Sequence, residues 1–502
     1  MSEAKHINRR EFLRTTLTAT AAYTILPRHV LGGSGYVAPS EKINIGCIGV
    51  GAQGTRVMMN FLRQPDVQIV SVCDVNRDSS NYCEWWPHEL RDKVRELIGN
   101  SRWGEGVKGC RAGREPAREI VEGYYALQKP SGKYKGCTTY NDFREMLEKE
   151  RDIDAVIIGT PDHTHAVISM KAMKMGKHVY CQKPFTHSIF EARELAKVSR
   201  EAKIATQVAT GNQASEATRL LCEWIWDGAI GAVREVHNWS SRPFWPQGIN
   251  RPAETPPVPS GLDWDLWLGP APSRPYHPAY LPFVWRGWYH FGAGALGDMG
   301  CYSFDTLFRV LKLVAPTSVE ASSSQSYIIE DGIGNPLNNT ETFPRASVIH
   351  YNFPAREDMP PVAIHWYDGG IKPIKPAELD GEKDMPEEGL LFVGDQGKIL
   401  CEFSGGEPRL IPQSKMDAYV QPPKTLPRSI GHDEEWLRAC KGGEPAGANF
   451  EFAGRVTETL LTGNIALRVG KKIQWDGPSL KATNLPEADD YIHRKYRKGW
   501  TL

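Results

Sequence analysis

The stretch INIGCIGVGAQG, residues 43–54, decides the fold. An apolar run stops at glycines, and Val57, Met58, Phe61 and Leu62 follow at helical spacing. That change of period predicts a buried strand, a tight turn and a helix. Gly49, Gly51 and Gly54 stand in the G-x-G-x-x-G spacing, with Ala52 and Gln53 at the opening of the helix. The first glycine permits the turn, the second lets backbone approach a pyrophosphate, and the third lets the helix lie close on the strand. The helix N-terminus offers free N–H groups and a partial positive charge to phosphates. Asp74 ends the next apolar run, VQIVSVCD (67–74), 20 residues after Gly54. A carboxylate there accepts bonds from ribose hydroxyls. It would also repel a 2′-phosphate, so NAD is expected over NADP, with Arg77 the one nearby feature pointing the other way.

Working outward, IDAVIIG (153–159) and KHVYC (177–181) read as further buried strands separated by helical stretches. Strands alternating with helices predict a parallel sheet covered on both faces. Residues 79–137 form an insert longer than a usual crossover, with Trp85 and Trp86 and a helix near 88–98. After about residue 185 the texture changes to strand-rich segments such as AVREVHNWSS, ASVIHYNF and LLFVGDQGKILCEF, punctuated by Pro and Gly clusters. The expected fold class is α/β: an N-terminal Rossmann dinucleotide-binding domain (41–184), a C-terminal α+β substrate-binding domain with an open, mainly antiparallel sheet (185–475), and a tail (476–502).

Charge and composition narrow the partners. The chain has 60 Lys and Arg against 60 Asp and Glu, and beyond residue 38 the balance is 55 against 58. Nothing in that balance suggests nucleic acid or an anionic membrane surface. No later stretch approaches the length of a membrane span. Ten cysteines are scattered without C-x-x-C pairs or zinc spacing, and no metal is needed to explain the histidines.

The N-terminal segment NRREFLRTTLTATAAYTIL (8–26) couples Arg9 and Arg10 to Phe12, Leu13 and a short apolar run that ends at Pro27. It resembles a twin-arginine signal, assigned to residues 1–38, which implies export to the periplasm of an already folded protein. Membrane contact is expected only if that signal is not cleaved. A nucleotide confined to the cytoplasm would have to be bound before such a journey, which ties the export route to the glycine turn.

GVGAQG, CDVN, TPDHTHA, GKHVYCQKP and GALGDMGCYSFD occur in that order. Together they resemble the Gfo/Idh/MocA family of oxidoreductases over roughly residues 42–475. The resemblance implies that Gln182, Lys183 and Pro184 match the family's Glu-Lys-Pro element, which places a catalytic lysine beside the nicotinamide. It also implies that Asp298 and Tyr302 match an Asp-x-x-x-His pair on one helix face, with Tyr302 where histidine is expected. Gln182 in place of Glu is expected to leave Lys183 more easily neutralised. Thr160, Pro161 and His165 are expected at the cofactor. Asn212 and Gln213, at the opening of a later helix, fall on the expected substrate side, and His165 could equally satisfy backbone groups. Trp239, Trp245, Trp285, Trp288 and Tyr289 offer flat faces to a sugar ring, with Arg242 and Arg286 as donors.

The preferred reading is an NAD-dependent oxidoreductase acting on a secondary hydroxyl of a sugar or glycoside. Its cofactor would be tightly held and recycled internally, and the chain a dimer or tetramer. Two alternatives stand beside it. One is an NAD-dependent glycosidase or lyase working through a transient keto-sugar with no net oxidation. The other is a sugar-binding module that has lost turnover, suggested by Gln182 and Tyr302.

Overall fold

The glycine turn does join a strand to a helix. In the computed structural model, β1 (Ile43–Ile48) ends at Gly49 and α1 (Ala52–Leu62) begins two residues after Val50. The structure describes residues 38, 41–379, 381 and 384–502, so the Arg9 and Arg10 segment lies outside the described residues. The chain divides into Met1–Lys42 and Ile43–Leu502.

From α1 the chain continues through β2 (Val67–Cys73), β3 (Ser79–Tyr82), α2 (Glu89–Ile98), β4 (Cys110–Ala112), α3 (Arg114–Leu127), β5 (Thr138–Tyr140) and α4 (Phe143–Lys149). It then forms β6 (Ala155–Ile158), α5 (Asp162–Lys174), β7 (His178–Cys181), α6 (Ile189–Glu201) and β8 (Thr206–Val208). Six strands make a parallel sheet in the order β5-β2-β1-β6-β7-β8. Strand order reverses between β1 and β6, the switch point at which open α/β sheets bind their ligands. The apolar runs become strands because both sheet faces are covered: Ile45, Ile69, Ala155 and Val156 are fully buried. A capping box between Ser188 and Glu191 starts α6, a feature worth about 1 kcal/mol.

The expected division after Pro184 cuts this sheet, because β8 pairs with β7. The sequence shows IATQV as a strand but not the sheet it joins.

The 79–137 insert folds onto the first domain as the β3–β4 hairpin with α2 and α3. Its helix, expected near 88–98, is α2. The insert is stitched to the glycine turn. Gly113 N–H donates to the Val50 carbonyl at 3.2 Å, and Arg56 of α1 pairs with Glu89 at 2.6 Å.

After α7 (Glu216–Trp226) come β9 (Val233–Trp239), α8 (Trp264–Leu268), α9 (Gly294–Val310), β10 (Ser318–Ser323), the hairpin β11 (Tyr327–Glu330) and β12 (Ile333–Pro336), β13 (Ser347–Phe353) and β14 (Val362–Tyr367). The remainder is β15 (Gly389–Gly394), β16 (Lys398–Cys401), β17 (Arg409–Ile411), α10 (Gln413–Ala418), α11 (His432–Cys440), α12 (Phe450–Val469), β18 (Ile473–Asp476) and β19 (Lys481–Ala482). Nine strands form a second sheet, β17-β16-β15-β9-β14-β13-β10-β18-β19, antiparallel except where β9 meets β14. Helices α7, α9 and α12 share a core with this sheet through Phe304, Leu307, Leu460 and Trp366. The open, mainly antiparallel second sheet is therefore as expected.

The tail returns to the first domain: Arg494 donates to the His163 carbonyl and Trp500 lies 6.1 Å from the Phe143 ring. All ten cysteines are free. Among the described residues no helix is long and apolar enough to cross a membrane.

Candidate active site

The glycine turn is held by close approach. A Cβ on Gly54 would sit 1.9 Å from the Gly49 carbonyl oxygen, so α1 packs on the turn only without a side chain there. Gly49 itself has φ +79°, the left-handed region. Helix α1 has no side-chain cap and no acidic residue in its first turn. Its leading N–H groups and dipole thus meet no competing carboxylate, which suits a phosphate.

Asp74 closes β2 with both carboxylate oxygens at 2.8 Å from backbone N–H groups, of Val50 and of Asn76. It is thereby locked to the turn. Burial is the main influence on it and lifts its pKa to about 6, against the pull of those two N–H groups.

One cavity, with about 1240 Å³ of empty space that includes open solvent, has Gly49, Gly51, Ala52, Gln53 and Asp74 in its wall together with Thr160, Pro161, Gln182, Lys183, Trp285 and Arg286. The cofactor-binding residues expected from sequence therefore border a single space with Lys183, except Gly54 and His165; Asp298 and Tyr302 do not line it and meet it only through Lys183. The residues fit a dinucleotide: an open helix N-terminus, a glycine turn and a carboxylate at the end of the next strand share the cavity with the lysine.

At the far side from Asp74 in sequence, two cations and two anions gather. Lys183 Nζ is 2.7 Å from Asp298 Oδ1 and donates to the Asp298 carbonyl at 3.1 Å. Arg286 Nη1 is 2.6 Å from the same carboxylate oxygen, but out of line for a hydrogen bond. Asp162 Oδ1 stands 4.0 Å from Arg286 Nη1. Burial is the largest influence and opposes the charge on Lys183, yet Asp298 and Tyr302 together overcome it and hold the amine above the ordinary lysine value. Burial likewise opposes ionisation of Asp298, and Arg286 with Lys183 overcomes it, leaving the carboxyl below its usual value.

This corrects the expectation of an easily neutralised Lys183. Asp298 supplies the negative charge that Gln182 does not, and it comes from α9, 115 residues away, where no local pattern reveals it.

Tyr302 follows Asp298 by one helical turn, as expected, and its ring lies 4.8 Å from the Lys183 amine. Burial raises the phenol's pKa, only partly offset by Lys183. His165 faces the carbonyl oxygens of Pro184 and Thr160 at 2.8 Å each. As a neutral ring it has one N–H and donates to one of these two carbonyls, satisfying backbone, one of the two roles left open for it. Burial brings its pKa down to about 4.

Of the expected sugar-binding residues, Trp285 and Arg286 reach the cavity, with the guanidinium 4.5 Å from the indole ring. Trp288 does not: it is fully buried and donates to the Ala279 carbonyl at 2.8 Å. Trp239 is likewise core, bound to the Pro386 carbonyl, and Trp245 bonds Gln247. Tyr289 packs on Phe343 with Arg468 over its ring. Asn212 is spent on the Ser404 carbonyl, and Gln213 on Glu435 and His432. Arg242 lies over Phe244 and 3.5 Å from Glu388. Aromatic density marked the right segment, but which rings face inward depends on packing partners far away in sequence.

Sequence reasoning missed other wall residues. The insert contributes Tyr82 and Trp85, the loop before Arg286 contributes Phe283, and the tail contributes Trp500. A Cβ on Gly51 would lie 2.7 Å from the Tyr82 ring, so the second glycine of the turn also makes room for the insert. Asp162, in the first turn of α5, is a further wall residue. Among the described residues no cluster of His, Cys, Asp or Glu is arranged to hold a metal ion.

Comparison with known proteins agrees with this fold. The family model "Oxidoreductase family, NAD-binding Rossmann fold" matches residues 118–210, and "Oxidoreductase family, C-terminal alpha/beta domain" matches residues 229–335. The first match begins beyond the glycine turn, whose assignment rests on its structure. A levoglucosan dehydrogenase of Pseudarthrobacter phenanthrenivorans is 31% identical over 111 residues, 21% of this chain and 28% of that protein. A 1,5-anhydro-D-fructose reductase of Ensifer adhaerens is 26% identical over 196 residues, 38% of this chain and 48% of that protein. The chain thus aligns with less than half the length of these curated relatives. The WlbA dehydrogenase of Bordetella pertussis, solved with NADH and UDP-GlcNAcA, shares the fold with a TM-score of 0.50 at 14% identity, over 87% of this chain and 99% of that one.

Proposed function

We propose, from the premise that this chain belongs to the Gfo/Idh/MocA oxidoreductase family, that it is an NAD-dependent oxidoreductase acting on a secondary hydroxyl of a sugar or glycoside. The observation that carries the reading is the single cavity joining the glycine turn and Asp74 to the Lys183–Asp298–Arg286 cluster.

When bound, a nicotinamide supplies the hydride-accepting ring. The chain's own residues do the rest. The α1 N-terminus and the glycine turn hold the phosphates, and Asp74, aligned by the Val50 and Asn76 N–H groups, orients a ribose. Lys183 is charged in this arrangement. Its role is to donate to the substrate oxygen and stabilise the negative charge that develops there. Asp298 fixes the amine's position, and Trp285 with Arg286 forms the adjoining wall. NAD is preferred over NADP because the Asp74 carboxylate disfavours a 2′-phosphate.

Retention of the dinucleotide is supported by what encloses it. Tyr82 and Trp85 from the insert and Trp500 from the tail border the same cavity as the glycine turn. A cofactor so enclosed suits a protein exported folded and recycling its hydride internally, which is the proposed meaning of the Arg9 and Arg10 segment. The test is a panel of sugars and glycosides added to nucleotide-loaded protein while absorbance of the reduced ring is followed. Reduction by at least one glycoside supports the proposal, and sugar binding without reduction at any pH contradicts it.

A further inference from the structure

We propose that Trp85, Phe244 and Phe283 form a second sugar subsite at the mouth of the cavity, selecting substrates that carry a neutral pyranose ring beyond the one that reacts. The inference rests on the sugar-oxidoreductase reading above and narrows its substrate class.

The three rings come from both sides of the cleft. Trp85 lies in the insert between β3 and α2, and Phe244 and Phe283 lie in two loops of the second domain. Phe244 and Phe283 are parallel within 8°, with centroids 5.5 Å apart. The Trp85 indole stands nearly perpendicular to them, at 87° and 84°. Aromatic surfaces of two orientations therefore meet at one corner.

Exposure separates this corner from the core. Trp85 is 49% and Phe244 55% exposed, whereas the adjoining Trp245 is 4% exposed. Trp245 packs edge-on against both phenylalanines, and its indole N–H donates to Gln247 at 2.8 Å. A buried, hydrogen-bonded base thus holds the phenylalanine rings at the surface. Apolar surface gathered at the rim of a cavity marks a binding surface.

Position identifies the occupant. Trp85 and Phe283 line the same cavity as Lys183. The Arg286 guanidinium lies 5.2 Å from the Phe283 ring, and its Nη1 is 2.6 Å from Asp298, the partner of Lys183. One side chain separates the corner from the reacting cluster. A ring bonded to the reacting sugar is the group that reaches across that gap.

The polar groups at the ring edges suit a carbohydrate. A pyranose offers an apolar C–H face to an aromatic ring and hydroxyls around its rim. The Arg242 guanidinium lies 4.9 Å from the Phe244 ring, and that of Arg56 5.5 Å from the Trp85 ring. Each is matched by a carboxylate, Arg242 by Glu388 at 3.5 Å and Arg56 by Glu89 at 2.6 Å. Donors and acceptors in balanced charge fit the hydroxyls of a neutral ring and give an anionic one no unpaired cation.

The deciding experiment is calorimetric titration of the full chain, with NAD present, by cellobiose, maltose and N,N′-diacetylchitobiose. Each is compared with the methyl glycoside of its single ring, and p-nitrophenyl glucoside is added as an aromatic control. At least one disaccharide should bind the wild type about 3- to 10-fold more tightly than its one-ring counterpart. Phe244→Ala should erase that advantage, Phe244→Tyr should retain it, and the affinities for NAD and the methyl glycosides should stay unchanged in both. A wild type that prefers no disaccharide, or a Phe244→Ala variant that weakens one-ring and two-ring sugars alike, overturns the subsite. A gain confined to p-nitrophenyl glucoside overturns it in favour of an aromatic aglycone. Because the sugar titrations need no turnover, failure of the wild type to bind NAD overturns instead the oxidoreductase reading on which the subsite rests.

Discussion

The Lys183 amine and the Asp298 carboxylate, 115 residues apart, meet at 2.7 Å with side chains only 10% and 9% exposed. They join the end of β7 to α9 and so link the two domains at the candidate site. Breaking a buried pair from one side leaves the other charge stranded, at a cost of about 3–5 kcal/mol. Asp298→Leu should therefore lower stability by about that much in denaturant unfolding, with Arg286 left uncompensated as well. Lys183→Met combined with Asp298→Leu should recover part of the loss and remain inactive. Equal instability of the single and double variants would show that the pair does not couple the domains.

The glycine turn offers a sharper steric test. In Gly54→Ala the new methyl would meet the Gly49 carbonyl oxygen at 1.9 Å, and that oxygen is backbone that cannot swing aside. Overpacking costs about 1–3 kcal/mol, and more where backbone must move. The expected result is a lower unfolding midpoint and loss of measurable NAD binding by calorimetry, with far-ultraviolet dichroism near that of the wild type.

Asp74 predicts a pH dependence of nucleotide affinity. Its carboxyl, raised to about 6 mainly by burial, is charged at neutral pH and becomes protonated below that value. Protonation forfeits the ribose acceptor and one of the bonds that align the turn. NAD affinity should fall as pH drops through about 6, and Asp74→Asn should be weaker at pH 8 and insensitive to pH over that range. Isothermal titration across the range checks both.

Asp162 and Asp298 should act on stability with opposite signs. Folding raises Asp162 from 3.8 to about 7, so the folded chain binds that proton more tightly than the unfolded one. The resulting stabilisation is full below the unfolded value and is lost as pH rises through about 7. Asp298 is lowered, so its contribution is present above its unfolded value and fades as pH falls below it. Asp162→Asn should thus gain stability relative to wild type above pH 7, by about 1–2 kcal/mol after relaxation at the site, in urea titrations at paired pH values.

The nucleotide half of the site was legible because its determinants are local. Gly49, Gly51, Gly54 and Asp74 lie within one βαβ span, where spacing and period fix geometry. Lys183 and Asp298 were recognisable by order of motifs, but not the charge that each gives the other. The charge on Lys183 depends on a contact across 115 residues, and the expectation drawn from Gln182 alone had the wrong sign. The aromatic residues failed for a related reason. Trp288 and Trp285 are three residues apart and look alike in sequence, yet one donates into the Ala279 loop and the other borders the cavity. Tyr82 and Trp85 were hidden in an insert whose period says helix and hairpin but not where it docks.

That docking makes its own prediction. Tyr82 lies against Gly51 and Glu89 holds Arg56, so the insert and the glycine turn form one wall. Tyr82→Ala should leave the fold intact and accelerate NAD dissociation by at least about tenfold, the equivalent of roughly 1.4 kcal/mol. Stopped-flow displacement of the bound nucleotide measures it.

Occupancy of this cavity by a pyridine dinucleotide is what the proposed chemistry requires. Purified protein should be denatured, its released small molecules identified by mass spectrometry, and the emptied, refolded chain titrated with NAD and NADP. The expected result is NAD in the released fraction and tighter binding of NAD than of NADP, abolished by Gly54→Ala. A folded chain that releases no nucleotide and binds neither dinucleotide would contradict the central claim.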